Sequence, residues 1–168
     1  MKLNIAEQLK SVGKIKHAEF TEALGPLSYG GRTVSFASPF HVTVDCVYDG
    51  GGFQVNGRLD TMLDSECSLC GKPFEEAFGF SFSERFMKDP SEEDEAYEYR
   101  GEELDLSRMV EELIFLNLPL SSMCSEGCKG LCPVCGCNLN LVQCSCAQDE
   151  AETPFLPLGT LRNVDKEV

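Results

Sequence analysis

The residues with chemistry to offer are cysteines. Ten occur in a chain of 168 residues, and seven of them fall in the stretch Cys124–Cys146, CSEGCKGLCPVCGCNLNLVQCSC. Their spacings are Cys124-x3-Cys128, Cys132-x2-Cys135, a single Cys137, and Cys144-x-Cys146; a further pair, Cys67-x2-Cys70, stands upstream. Zinc takes four soft or borderline ligands near tetrahedral geometry, with sulfur at about 2.3 Å. A Cys-x2-Cys turn followed by glycine presents two thiolates on one tight loop, the glycine relieving the backbone where it folds over the metal. Cys67-Ser-Leu-Cys70-Gly71 and Cys132-Pro-Val-Cys135-Gly136 both have that form.

Cys46 sits in an alternating apolar run and reads as a buried thiol, which leaves nine candidates. They suffice for two four-thiolate sites with one to spare. One pairing joins Cys67 and Cys70 to Cys124 and Cys128, and leaves Cys132, Cys135, Cys144 and Cys146 for a second, local site with Cys137 outside both. The rival pairing puts the two glycine-followed turns on one metal and Cys124, Cys128, Cys144 and Cys146 on the other. Spacing does not choose between them. Either way, four-sulfur coordination leaves no position open for water or substrate, so the sites are expected to be structural, with folding tied to metal by about 10–16 kcal/mol of binding energy.

Other chemistry is hard to find. A catalytic zinc would want a histidine or carboxylate ligand and a nearby base. A thioredoxin-like Cys-x-x-Cys should open a helix after a buried strand, whereas Cys67–Cys70 separates two strand-like runs. His17 and His41 have no ligand-type neighbours in sequence and are given no role. No phosphate-cradling glycine loop, nucleophile elbow or carboxylate pair stands out, so the expectation is a protein that is not an enzyme.

Charge narrows the partners. The formal balance is −14, and it is uneven: residues 1–40 carry five basic and three acidic side chains, the rest nine and twenty-five. Such a body repels RNA at long range, less so near the N-terminus. An autonomous nucleic-acid binder is disfavoured; a protein working beside RNA through protein partners is not. The N-terminus MKLNIAEQLK lacks the apolar core of a secretory signal, and no window is long and apolar enough to span a bilayer. A cytoplasmic protein is expected, where thiols stay reduced and paired cysteines favour metal over disulfides.

The elements that must position these thiols are legible from Phe40 onward. Phe40, Val42, Val44, Cys46 and Tyr48 alternate with polar residues, and Asp49-Gly50-Gly51-Gly52 supplies a turn. Phe53, Val55, Leu59 and Leu63 share one face of the next run, which ends on Cys67. After Pro73, Phe74, Phe78, Phe80, Phe82 and Phe86 share one face of a third run. Three such strands form an antiparallel meander with one buried face. The phenylalanine stripe reads as core and not as a base-stacking platform, since its exposure would invite aggregation. Residues 89–103 read as an acidic loop with a short strand near Tyr97–Tyr99. Asp105 then caps a helix on which Leu106, Met109, Val110, Leu113 and Leu116 recur at helical spacing, with Ile114 and Phe115 widening the apolar arc. Pro119 ends it and returns the chain to Cys124. Residues 1–37 form a loose segment in which Lys2–Leu9 reads as a strand or a short helix.

The fold expected is α+β: an antiparallel β-meander packed by one main helix over residues 1–120, a Cys-rich zinc-binding region over 121–150 clipped to 67–70, and a C-terminal tail over 151–168. Within the tail, the apolar run 153–161 suits docking on the body or on a partner.

The joint pattern resembles the bacterial YceD family. The residues that carry it are Cys67-x2-Cys70-Gly-Lys-Pro-Phe, Asp105-Leu106, Met109-Val110-Glu111-Glu112-Leu113-Ile114 and Leu118-Pro119-Leu120. Cys124, Cys128-Lys-Gly-Leu-Cys132-Pro-x-Cys135-Gly, Asn138-Leu139-Asn140, Cys144-x-Cys146 and Pro154-Phe155-x2-Leu158-x2-Leu161 continue it. The resemblance covers about Phe53 to Leu161. It implies a role in accumulation of large-subunit (23S) ribosomal RNA and in ribosome assembly, with a plastid counterpart in plants, and no catalytic activity. Family members lacking the second cysteine cluster keep ligand-type residues at the first four positions, which supports the first pairing. Cys137 departs from the small or polar residue usual after Cys-Gly, which supports leaving it out. The expected partners are ribosome assembly factors or ribosomal proteins. Two alternatives stand beside this reading: a redox-responsive zinc–thiolate switch, and a direct RNA-binding zinc ribbon using Lys10, Lys14 and Lys16.

Overall fold

A computed structural model describes residues 1–91 and 93–146. The run 153–161 therefore lies outside the described residues. The chain divides into two compact units, Met1–Glu126 and a second beginning at Gly127.

The first unit is built on strands β1 (Lys2–Asn4), β2 (Ile15–Glu22), β3 (Leu27–Tyr29), β4 (Arg32–Phe36), β5 (Phe40–Tyr48), β6 (Phe53–Glu66), β7 (Pro73–Met87), β8 (Tyr97–Glu98) and β9 (Glu103–Asp105), followed by helix α1 (Ser107–Asn117). The expected α+β meander is present: β5, β6 and β7 pair antiparallel in succession. The long β6 is the spine. Its first half pairs with β5, its end pairs with β4 at Leu63 and Asp64, and its other edge pairs with β7 along the whole length. β2 extends the sheet beyond β5, and β8 adds in parallel to β7.

Period-two alternation decides which face is inside. Phe40, Val42, Val44 and Cys46 of β5, Phe53, Val55, Leu59 and Leu63 of β6, and Phe78, Phe82 and Phe86 of β7 are all buried. The register aligns them into rows, such as Val42, Leu59 and Phe80, or Val44, Gly57 and Phe82. In the second row the Phe82 ring covers Gly57: a Cβ there would meet the Phe82 Cζ at 2.5 Å and collide with the Thr43 carbonyl oxygen. Here glycine inside a strand marks a close approach of ring and backbone.

Helix α1 adds Met109, Val110, Leu113 and Ile114 to the same core. The Asp105 carboxylate accepts the Ser107 N–H at 3.0 Å, and that backbone bond holds its carboxyl below the ordinary value. At the other end Asn117 Nδ2 donates to the Leu113 carbonyl, and Leu118 turns extended ahead of Pro119. One expectation fails: Leu116 is 78% exposed although it lies only about 20° round the helix from fully buried Met109, so its place on the last turn of α1, and not its face, leaves it uncovered.

The N-terminal segment is more ordered than its sequence suggests. β1 pairs with β9 a hundred residues away in sequence, a short 3-10 turn follows at Gln8–Lys10, and Leu3 and Ile5 are buried. Lys2–Leu9 is thus strand and helical turn in succession. A three-residue strand whose partner is so remote carries no periodic signal. Among the described residues, no helix is long and apolar enough to cross a membrane.

Two outcomes follow. Gly57→Ala should lower stability by about 1–3 kcal/mol through overpacking, read by denaturant titration; an unchanged midpoint would contradict the close approach. Burial pushes the Cys46 thiol up from 9.0 to about 11. The neutral thiol is therefore the form favoured by folding, its contribution complete below pH 9 and lost as pH rises toward 11. At neutral pH, Cys46 should resist alkylation in the native chain and react once the chain is unfolded, as peptide mass mapping would show.

Candidate metal centres

Two turns with the same backbone geometry hold the Cys-x2-Cys pairs. In the first, the Cys67 N–H donates to the Lys72 carbonyl at 2.9 Å and the Gly71 N–H to the Cys67 carbonyl at 2.8 Å. In the second, the Cys132 N–H donates to the Cys137 carbonyl at 2.8 Å and the Gly136 N–H to the Cys132 carbonyl at 2.9 Å. Both glycines are in the left-handed region, at φ +67° and +71°, which a side chain would strain. Cys137 is therefore the positional equivalent of Lys72: the turn uses its carbonyl, whatever its side chain.

The leading thiol of each turn is buried, and both sit in a cage of donors. Backbone N–H groups of Cys124, Leu69 and Cys70 aim at the Cys67 sulfur and lower its pKa from 9.0 to about 6, against the opposing effect of burial. Those of Cys135 and Val134 do the same for Cys132, also to about 6. Amides that stabilise a thiolate prepare a sulfur for a cation. Cys146 and Cys137 move the other way, to about 12, each chiefly through a hydrogen bond to the neighbouring Cys135 sulfur. Several thiolates cannot coexist so closely without a positive charge among them.

The first set is delivered by the helix exit. Ser68 N–H donates to the Ser122 carbonyl at 2.8 Å, Ser122 N–H to Ser68 Oγ at 3.2 Å, and the hydroxyls of Ser65 and Ser122 both donate to Glu76 Oε1. This clip lays the segment after Pro119 beside the first turn and brings the Cys124 Sγ to 3.8 Å from that of Cys70. Cys128, four residues on along the same loop, completes the group. The sulfurs of Cys67, Cys70, Cys124 and Cys128 all lie within 4.8 Å of one another, as do those of Cys132, Cys135, Cys144 and Cys146. Of the two pairings open in the sequence, these are the sets of the first. Cys137 lies outside both, in contact with Cys135 and Cys144.

The donor sets fit a metal ion. A tetrahedron of ~2.3 Å metal–sulfur bonds has edges of ~3.8 Å, the Cys70–Cys124 separation, whereas a disulfide would need ~2.05 Å. Neither His17 nor His41 approaches a thiol set: His17 lies between Asp45 (2.8 Å) and Glu19 (3.3 Å) on the exposed face, its pKa raised by those two carboxylates, and His41 contacts Thr21. The serine clip was not foreseen from sequence, since isolated serines carry no pattern. Nor was a contact from Asn140, whose Nδ2 donates to the Cys128 sulfur at 3.4 Å.

A sequence-family model described as "Large ribosomal RNA subunit accumulation protein YceD" matches residues 55–162. The chain is 26% identical over 157 residues to "Large ribosomal RNA subunit accumulation protein YCED homolog 1, chloroplastic" of Arabidopsis thaliana, covering 74% of this chain and 49% of that one. The protein of the same name from Zea mays is 24% identical over 143 residues, 65% of this chain and 49% of its own length. An uncharacterized protein of Mycobacterium tuberculosis is 31% identical over 91 residues, 51% of this chain and 44% of its own. The chain thus spans about half the length of the curated relatives it matches. No solved structure matches it.

Elemental analysis of the purified chain should find two metal ions. Cys67→Ser or Cys132→Ser should each reduce this to one, and Cys137→Ser should leave it at two. Two ions retained in both ligand variants would refute the assignment.

Proposed function

Because the chain belongs to the YceD family, we propose that it supports accumulation of large-subunit ribosomal RNA as a non-enzymatic factor stabilised by two structural zinc ions. The observation that carries the role is the family match, which runs through both thiol sets and helix α1. All-sulfur coordination favours zinc among abundant intracellular cations and leaves no ligand position for substrate, which supports a scaffold and not a catalyst. When bound, the ion supplies charge neutralisation and cross-linking. The chain's own residues do the rest: backbone amides ready Cys67 and Cys132, and the Ser68–Ser122 clip sets the approach of Cys124.

The scaffold acts in the cytoplasm on ribosomal proteins or assembly factors. The support is electrostatic. A chain with formal charge −14 repels RNA and attracts basic proteins. Of the three lysines expected to serve direct RNA contact, Lys10, Lys14 and Lys16, two have partners within the chain: Lys14 pairs with Glu7 at 3.2 Å and Lys16 Nζ donates to the Asn4 carbonyl at 2.6 Å.

Depleting the protein should lower large-subunit rRNA relative to small-subunit rRNA, with wild-type chain restoring the ratio and a Cys67→Ser/Cys70→Ser chain failing to do so. A ratio and subunit profile unchanged on depletion would reject the role.

A further inference from the structure

The motif Asn138-Leu139-Asn140 is not explained by either set of thiols, yet its hydrogen bonds are specific. It lies on the loop between the two cysteine pairs of the second set. Leu131 bridges to Asn138 in antiparallel fashion, the Leu139 N–H donates to the Gly130 carbonyl at 3.0 Å, and the Asn138 carbonyl accepts from Leu141 and Val142 at 3.0 and 3.1 Å. These contacts fold 138–142 into a turn that leads directly to Cys144.

At its centre the Asn140 amide is fully engaged. Its Oδ1 accepts the Lys129 N–H at 2.8 Å, and its Nδ2 donates to Asn138 Oδ1 at 2.9 Å and to the Cys128 sulfur at 3.4 Å. The Asn140 N–H donates to the same Asn138 oxygen at 2.9 Å. The pattern fixes which amide atom faces the thiol: turned over, Asn140 would set an oxygen against sulfur and an N–H against the Lys129 N–H. Cys128 belongs to the other set. The loop shaped by the second four thiols thus places a hydrogen-bond donor on a ligand of the first.

We infer that Asn140 couples the two metal centres: the second set fixes the loop, the loop fixes the amide, and the amide holds the Cys128 sulfur in place for the first. Filling the second set then tightens the first, and by linkage the first tightens the second. A donor to a ligating thiolate orients it and withdraws charge from it, as the supporting hydrogen bonds of metal sites do. Asn140 is a positioning residue, touching a ligand and not the ion. The inference rests on the metal reading of the two sets.

The test uses the full chain and cobalt(II), whose sulfur charge-transfer absorption reports the ligand sulfurs, with chelator competition resolving the two sets. With the second set filled, Asn140→Ala should weaken the first set about tenfold and shift its charge-transfer band to longer wavelength as the sulfur regains charge, while in a Cys67→Ser/Cys70→Ser chain, which cannot fill the first set, it should leave second-set affinity unchanged. Asn140→Asp, which keeps the acceptor for Lys129 and loses the donor, should do the same. Cys144→Ser/Cys146→Ser, which disables the second set, should weaken the first by a similar factor, and adding Asn140→Ala to it should cost nothing more. First-set affinity and band unchanged in both Asn140 variants would overturn the coupling, and so would a loss of second-set affinity in the chain whose first set is disabled, the mark of general loosening. A wild-type chain that takes up no cobalt at the first set would instead refute the metal reading, and the coupling with it.

Discussion

The constraint on which the architecture turns is the approach of Cys124 to Cys70, whose sulfurs lie 3.8 Å apart across fifty-four residues of sequence. Closing a loop of that length costs the chain about 4 kcal/mol of entropy by the relation used for cross-links. Little of this cost falls on the thiols. β6 and β7 pair along their full length on either side of the Cys67–Cys70 turn, and α1 packs its apolar side into the same core. The Ser68–Ser122 hydrogen bonds then join the segment leaving the helix to the turn that ends β6. The sheet and helix pre-assemble four thiols that could hold a metal ion, and clustered thiolates repel one another unless a cation sits among them.

The two Cys-x2-Cys turns show how local and global structure share this task. Each makes the same pair of backbone hydrogen bonds, ends in a left-handed glycine and buries its leading thiol beneath backbone amides, those of its own turn and, for Cys67, that of Cys124 as well. Only a few residues are needed to make such a turn, so it can recur within one chain. What differs is the source of the other two ligands. The second turn finds Cys144 and Cys146 a few residues further along its own loop, while the first depends on a helix and a long strand pair to deliver Cys124.

Much of this was legible in the residues themselves. Alternation in β5, β6 and β7 identified the buried face residue by residue, and Cys46 fell on it as expected. Helix α1 was legible from Asp105, its apolar spacing and Pro119, although Leu116 is exposed because helical periodicity does not say how far along the helix the packing extends. Residues 1–37 were opaque. β1 has three residues and finds its partner β9 a hundred positions later, so nothing local distinguishes it from a turn.

The sequence by itself determined the donor chemistry. Thiols at paired spacing with glycine after each turn specify a soft, closed, four-sulfur site, because those properties reside in the side chains and in the conformations open to glycine. Tertiary structure alone decided which thiols share a site, since spacing permits two pairings and only the register of β6 with β7 and the exit of α1 put Cys124 beside Cys70. It also decided that Asn140 faces the Cys128 sulfur, a contact between residues twelve apart that exists only once the intervening loop has folded.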